Sequence, residues 1–161
     1  APESLYGKSK LAGEEFVRTL CHRYLIVRSA WVYGIGRDFV STVLNAAADP
    51  TCPWLAVPTD RFASPTSADD LTAAVEQLID HDTLGIYHIV CQGRCSRYDF
   101  AQAILKAAHM EDKLELHPIR AADAGSTPSY TVLDNLMLRL DNLPQPRPWK
   151  EALNEYINSL Q

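Results

Sequence analysis

Apolar residues recur along this chain with two spacings, one typical of helices and one typical of strands. Within residues 4–22, Tyr6, Leu11 and Val17 recur at roughly helical intervals, which predicts an amphipathic helix. Residues 24–33 form a dense run of apolar and β-branched side chains, which is typical of a buried parallel strand. The first two predicted elements are therefore a helix and the strand that follows it.

The same two spacings alternate to the end of the chain. Helices are predicted over residues 38–48, from Ser67, from Ser96, over 133–140 and from Pro148 in the first turn, and strands over 54–58, 86–91 and 114–119. Ser67 and Ser96 are expected to cap their helices, because an aspartate follows each at the third position. Residues 58–66 and 121–130 are predicted to be loops. The alternation of helices and strands indicates an α/β fold.

Composition narrows the class of protein. Of 161 residues, 47% are hydrophobic and 22% are charged, as in soluble globular domains. The net charge of -5 and the lack of a dense Lys/Arg run argue against nucleic-acid binding, which usually needs a basic surface; a local basic pocket for a small diphosphate stays open. No apolar stretch approaches the ~20 residues that span a bilayer, so we expect no membrane segment. A cytoplasmic protein is predicted.

The four cysteines are expected to be reduced thiols. They are Cys21, Cys52, Cys91 and Cys95, and the last two stand in C-Q-G-R-C. A gap of three residues fits neither a redox C-x-x-C nor a paired zinc ribbon. We therefore predict no metal site, with a single zinc site or one disulfide pair as the alternative.

A candidate catalytic pair lies in the first predicted helix. Tyr6 and Lys10 are four residues apart, which places them on one helical face. Reduction of a ketone needs a proton donor for the developing alkoxide, and an ordinary tyrosine, with a pKa near 10, is a reluctant donor at neutral pH. An ammonium group at ~5 Å favours the phenolate by roughly 3 kcal/mol at an effective dielectric of ~20. Taken alone, Y-x-x-x-K more often means a packed tyrosine and a solvated lysine.

The order of several short motifs carries a family resemblance. Y-G-K-S-K, which ends at Lys10, is followed by Glu14 and by R-S-A-W-V-Y-G, which begins at Arg28. Farther on stand D-F-V (38–40, like N-F-V), D-R-F-A-S-P-T (60–66, like D-Q-x-G-x-P-T), G-I-Y-H (85–88, like G-[IT]-Y-H), S-R-Y-D-F-A (96–101, like S-W-Y-E-F-A), T-P-S-Y-T-V-L-D (127–134, like R-P-x-x-S-x-L-D) and Trp149 with Leu153 (like W-x-x-x-L). Over nearly its whole length the sequence resembles the extended short-chain dehydrogenase/reductases, and within them the dTDP-4-dehydrorhamnose reductases.

This resemblance implies both a fold and an activity. The fold would be the C-terminal portion of an NAD(P)-binding, Rossmann-like extended short-chain reductase together with its substrate-binding subdomain. Residues 1–50 would be the remnant of the Rossmann-like domain, and residues 51–161 the α/β substrate-binding subdomain. The activity would be reduction of the 4-keto group of dTDP-4-dehydro-6-deoxy-L-mannose to dTDP-L-rhamnose with NADPH, or with NADH. The resemblance leaves a magnesium ion and a homodimer open.

The resemblance also assigns roles to individual residues. Tyr6 would protonate the sugar C4 oxygen, Lys10 would hold the nicotinamide ribose, and Trp31 would lay its indole against the deoxysugar ring, where an apolar face is useful. The resemblance also implies that Phe39, Pro65 and Thr66 contact the substrate. It implies that Lys10, Arg28 and Ser29 contact the cofactor. The alternatives are a plain core role for Trp31 and a structural ion pair for Arg28.

Several departures from the family pattern bear on the expected function. The 161 residues contain no G-x-x-G-x-x-G, the turn and helix start that would receive a pyrophosphate. We therefore expect the N-terminal cofactor-binding half to be absent from this chain, and the chain alone to bind NADPH poorly. Arg61 replaces the glutamine of its motif, and Thr127 the arginine. Two further functions stay open, a non-catalytic reductase-like regulatory or binding subunit and a reductase or epimerase of another nucleotide sugar.

Overall fold

The computed structural model describes residues 2, 4–125, 127 and 129–160, and its helices and strands alternate along the chain. The helices are α1 (Leu5–Leu20), α2 (Phe39–Ala48), α3 (Ala68–Asp80), α4 (Arg97–Ala107), α5 (Leu136–Leu140) and α6 (Trp149–Ser159), with a 3-10 helix at Ala121–Ala124. The strands are β1 (Leu25–Arg28), β2 (Val32–Tyr33), β3 (Trp54–Pro58), β4 (Arg61–Ala63), β5 (Thr66–Ser67), β6 (Gly85–His88), β7 (Cys95–Ser96), β8 (Glu115–Ile119) and β9 (Ser129–Tyr130). The predicted α/β fold is confirmed.

Side-chain caps set where the central helices begin. The Ser67 hydroxyl accepts a hydrogen bond from the Asp70 amide at 3.0 Å, which starts α3. The Ser96 hydroxyl accepts from the Asp99 amide at 3.0 Å, and the Asp99 carboxylate accepts from the Ser96 amide at 3.1 Å. Both predicted N-caps are confirmed, because the exposed amides of a first turn take the nearest side-chain oxygen. Pro148, predicted to lie inside the first turn of α6, instead precedes it as the N-cap.

The strands pair mostly in parallel. β1 pairs with β6, β2 with β5 and β3 with β8, whereas β4 lies between antiparallel β7 and parallel β9. The prediction of one strand over 24–33 is wrong, because Trp31 has φ 43, a left-handed conformation that interrupts a strand. The predicted loop 58–66 instead contains β4 and the first residue of β5. Both strands form by pairing with segments that are distant in sequence, and local polarity does not reveal such pairing.

The main core is aromatic and lies among α2, α4 and α6. Phe100 of α4 is fully buried, and its ring centre lies 5.7 Å from that of Tyr33 and 5.8 Å from that of Trp149. Cys91 and Cys95 are buried in the same core as free thiols. None of the helices within the described part of the chain has the length and apolar content of a bilayer span.

Candidate active site

The predicted catalytic pair lies on the first two turns of α1. Ser4 caps this helix by accepting a hydrogen bond from the Gly7 amide at 3.0 Å. The Lys10 ammonium nitrogen lies 5.4 Å from the centre of the Tyr6 ring, so the two side chains share a face as their spacing predicts. Tyr6 is 72% exposed, and none of the residues of α1 is buried. The pair is therefore formed by the helix itself and is open to water.

An ion pair joins α1 to the sheet. Arg28, at the end of β1, donates from Nε to Glu14 Oε1 at 2.7 Å and from its terminal nitrogen to the other carboxylate oxygen. This hydrogen bond holds the pKa of Glu14 below its ordinary 4.5. The structural ion pair considered from the sequence is therefore present, and a role for Arg28 in binding a cofactor stays a prediction.

Ser29 lies next to this ion pair with an unsatisfied hydroxyl. Its Oγ is buried and has no hydrogen-bond partner among the described residues. A buried hydroxyl without a partner is costly, so a ligand that bonds to it would stabilise this strand end. The predicted cofactor contact of Ser29 fits this observation and stays a prediction.

Trp31 joins β1 to β2 at a bend of the chain. Its carbonyl accepts a hydrogen bond from the Thr66 amide at 3.3 Å, and its side chain is half-buried. The indole stacks with Phe100 at a centroid distance of 6.3 Å and an interplanar angle of 22°. Within the described residues it makes no ring contact with Tyr6. One part of the indole thus packs on the core, so the core interpretation holds in part, and the contact of Trp31 with a deoxysugar stays a prediction.

Phe39 and Trp31 together form a surface that we call the aromatic wall. Asp38 accepts hydrogen bonds from the amides of Ser41 and Gly34, at 2.7 and 2.8 Å, and so fixes the start of α2. Phe39, its first residue, stacks with Phe100 at 5.9 Å and 28°. Both predicted substrate-binding aromatic residues therefore rest on one buried ring.

Pro65 and Thr66 are both buried, and the Thr66 amide donates a hydrogen bond to the Trp31 carbonyl. Thr66 is 0% exposed, and its hydroxyl donates to the Ser64 carbonyl at 3.1 Å and accepts from the Cys91 amide at 3.3 Å. The hydroxyl of Thr66 is thus used within the protein, where it joins the start of β5 to Cys91. The predicted contact of Pro65 and Thr66 with a substrate stays a prediction.

Sequence reasoning missed Arg97, the first residue of α4. Its guanidinium carbon lies 3.8 Å from the Trp31 ring centre and 4.3 Å from that of Phe39, within the range of cation–π attraction. Burial, and then the nearby charge of Arg61, lower the pKa of Arg97 to about 10, so it stays cationic at neutral pH. The available signal was the motif S-R-Y-D-F-A, in which arginine stands in place of the family's tryptophan.

Comparisons with known proteins show which family the chain belongs to. The sequence profile of the RmlD substrate binding domain matches residues 1–161. The chain belongs to this family. It is 39% identical over 158 residues to the spore coat polysaccharide biosynthesis protein SpsK of Bacillus subtilis, covering 97% of this chain and 54% of that protein.

Solved structures of the family superpose on the whole chain. A dTDP-4-dehydrorhamnose reductase from Clostridium acetobutylicum has 41% identity and a TM-score of 0.94, over 100% of this chain and 57% of that one. The same enzyme from Bacillus anthracis, in complex with NADP, has 34% identity and a TM-score of 0.93, also over 100% and 57%. The fold implied by the resemblance is therefore confirmed. The chain spans about half the length of these RmlD-type relatives.

The candidate site consists of two groups of residues. One is the Tyr6–Lys10 pair on α1. The other is the aromatic wall of Trp31 and Phe39, with the Arg97 guanidinium stacked on both rings. No cluster of three or more His, Cys, Asp or Glu among the residues that the structure describes is suited to hold a metal ion.

Proposed function

We propose that this chain forms the substrate-binding part of a reductase that converts dTDP-4-dehydro-6-deoxy-L-mannose to dTDP-L-rhamnose with NADPH, or with NADH. The observation that carries the proposal is the Tyr6–Lys10 pair, one turn apart on α1, in a chain of the RmlD substrate-binding family. Two relatives that superpose on it are dTDP-4-dehydrorhamnose reductases, one of them in complex with NADP.

In this proposal the chain's own residues handle the proton and the sugar. Tyr6 donates its phenolic proton to the C4 oxygen as the carbonyl becomes an alkoxide, and the Lys10 ammonium stabilises the phenolate that remains. Trp31 presents an apolar face to the 6-deoxysugar. NADPH, when bound, supplies the hydride. Lys10, Arg28 and Ser29 are the residues here that would contact the cofactor, and the support for Ser29 is that its hydroxyl has no hydrogen-bond partner among the described residues.

We also propose that a cofactor-binding half outside these 161 residues covers α1. Residues 1–50 then belong to the Rossmann-like domain, and residues 51–161 form the substrate-binding subdomain. The support is the apolar surface of α1, where Phe16 and Leu20 are 67% and 76% exposed, together with the length of the relatives. Covering this helix would remove water from around Tyr6 and Lys10, which strengthens their electrostatic interaction.

The test is reduction of the dTDP-4-keto sugar by the protein that contains this chain, and the loss of NADPH absorbance measures the rate. The Tyr6→Phe variant is expected to lower kcat by ~100-fold or more, the range for loss of a general acid. Tyr24→Phe removes a hydroxyl from a half-buried tyrosine of the next segment and is the matched control. Unchanged turnover in Tyr6→Phe would support a non-catalytic subunit instead. If only another nucleotide sugar were reduced, the proposed substrate would be wrong.

A further inference from the structure

Two arginines meet at the edge where β4 approaches the start of α4. In the antiparallel pairing of β4 with β7, Phe62 lies opposite Ser96. Arg61 precedes Phe62 in β4, and Arg97 follows Ser96 as the first residue of α4, so the two arginines flank this pair on the same side. The charge of Arg61 is close enough to contribute to the lowered pKa of Arg97. The fold thus holds two positive charges together.

Among the residues that the structure describes, no carboxylate balances these charges. Neither Arg61 nor Arg97 belongs to any of the ion pairs found there, and Arg61 has only a long hydrogen bond of 3.4 Å from Nε to Ser129 Oγ. Arg97 is half-buried against Trp31 and Phe39. A partly desolvated cation without a counter-ion is costly, and a bound anion would remove that cost.

We propose that Arg97 and Arg61 form an anion site that binds the diphosphate of the nucleotide-sugar substrate. The inference rests on the proposed function, because it takes Trp31 as the wall for the sugar. The diphosphate is bonded directly to that sugar, so its oxygens come to lie beside the same indole on which Arg97 stacks. A guanidinium presents several N–H donors in one plane, which suits phosphate oxygens. The two charges of the diphosphate match the two arginines.

The two arginines depart from the motifs that this sequence resembles. The motif around Arg61 has glutamine at that position, and the motif around Arg97 has tryptophan. Both replacements add a positive charge, and the fold brings the two replaced positions together. A neutral pair there would bind the diphosphate by hydrogen bonding and stacking, whereas this pair binds it by charge. We therefore expect a steeper dependence of affinity on salt than a neutral pair would give.

Binding of dTDP, measured by isothermal titration calorimetry on the protein that contains this chain, tests the proposal without any turnover. Arg97→Trp and Arg61→Gln restore the neutral residues of the two motifs. We expect Arg97→Trp to raise the Kd for dTDP by ~10-fold, which is about 1.4 kcal/mol, and Arg61→Gln by ~3-fold. Binding of thymidine, which lacks phosphates, should change by less than about twofold. Inorganic pyrophosphate should compete with dTDP in the parent protein and compete less in both variants.

The control and a second variant keep the result decisive. Arg23→Gln removes one positive charge from an exposed ion pair with Asp82, and its dTDP affinity should equal that of the parent protein. Arg97→Lys keeps the charge but not the planar donors, and should weaken dTDP by ~3-fold even if Arg97→Trp does not fold. Unchanged dTDP affinity in Arg97→Lys and Arg61→Gln, or an equal loss for thymidine and dTDP, would overturn the anion site. Arginine-dependent dTDP binding without reduction of any keto sugar would keep this site and remove the proposed reductase.

Discussion

Asn135 is the buried polar residue whose removal should most clearly destabilise this fold. It is 4% exposed and makes two hydrogen bonds with the backbone of Val90. Its Nδ2 donates to the Val90 carbonyl at 2.8 Å, and its Oδ1 accepts from the Val90 amide at 2.9 Å. These bonds join the start of α5 to the segment that follows β6, next to the Cys91 amide that bonds to Thr66.

The expected cost of Asn135→Leu follows from the two backbone groups it leaves unpaired. Each buried group without a partner costs ~1–3 kcal/mol, so the pair costs ~2–6 kcal/mol. Leucine has nearly the same size and recovers ~1–2 kcal/mol by burying apolar surface. We therefore expect the free energy of unfolding to fall by about 3 kcal/mol, measured from the midpoint of urea denaturation by tryptophan fluorescence.

The matched control is the same substitution at an exposed site. Asn154 lies on the outer face of α6, and Asn154→Leu should change the free energy of unfolding by less than ~0.5 kcal/mol. A loss below that value in Asn135→Leu would refute the reasoning, because it would mean that water or a shift of the backbone satisfies the Val90 groups.

Three further changes test other parts of the structure. Glu14→Gln should lower stability at neutral pH, because Arg28 holds the folded-state pKa of Glu14 below 4.5. This stabilisation is present above the unfolded-state pKa and is lost as the pH falls through the folded-state pKa. If urea titrations still showed a stability difference from the parent protein below that pH, the ion pair would be contradicted. Gly93→Ala should destabilise by ~1–2 kcal/mol, because Gly93 has φ +92 and a new Cβ would lie 3.1 Å from the Trp149 ring; an unchanged thermal midpoint would contradict this. Phe100→Ala should cost ~3–5 kcal/mol in urea denaturation, and dTDP affinity should fall with it because the ring supports Trp31; full affinity in a folded variant would contradict that support.

Helix positions could be predicted from the sequence because their causes are local. The serine and aspartate that cap α3 and α4 lie within one turn of each other. The spacing of Tyr6 and Lys10 also fixes their common face, because α-helical geometry leaves no other choice. The family resemblance is confirmed by the match of the family's sequence profile to residues 1–161.

The strands that were misjudged depend on partners that are distant in sequence. β4 lies in a segment interrupted by polar residues and becomes a strand because it pairs with β7 and β9. The break at Trp31 likewise follows from the change of partner between β1, which pairs with β6, and β2, which pairs with β5. A local window of sequence contains neither fact.

The sequence by itself determined the helices, the Tyr6–Lys10 pair and the family, because each follows from residues close together or from motifs in a fixed order. Only the tertiary structure decided that Arg28 pairs with Glu14 and that Arg97 lies over Trp31 and Phe39. The reason is physical. A side chain's charge state and contacts depend on burial and on neighbours that the fold brings from elsewhere in the chain, and a linear pattern records neither.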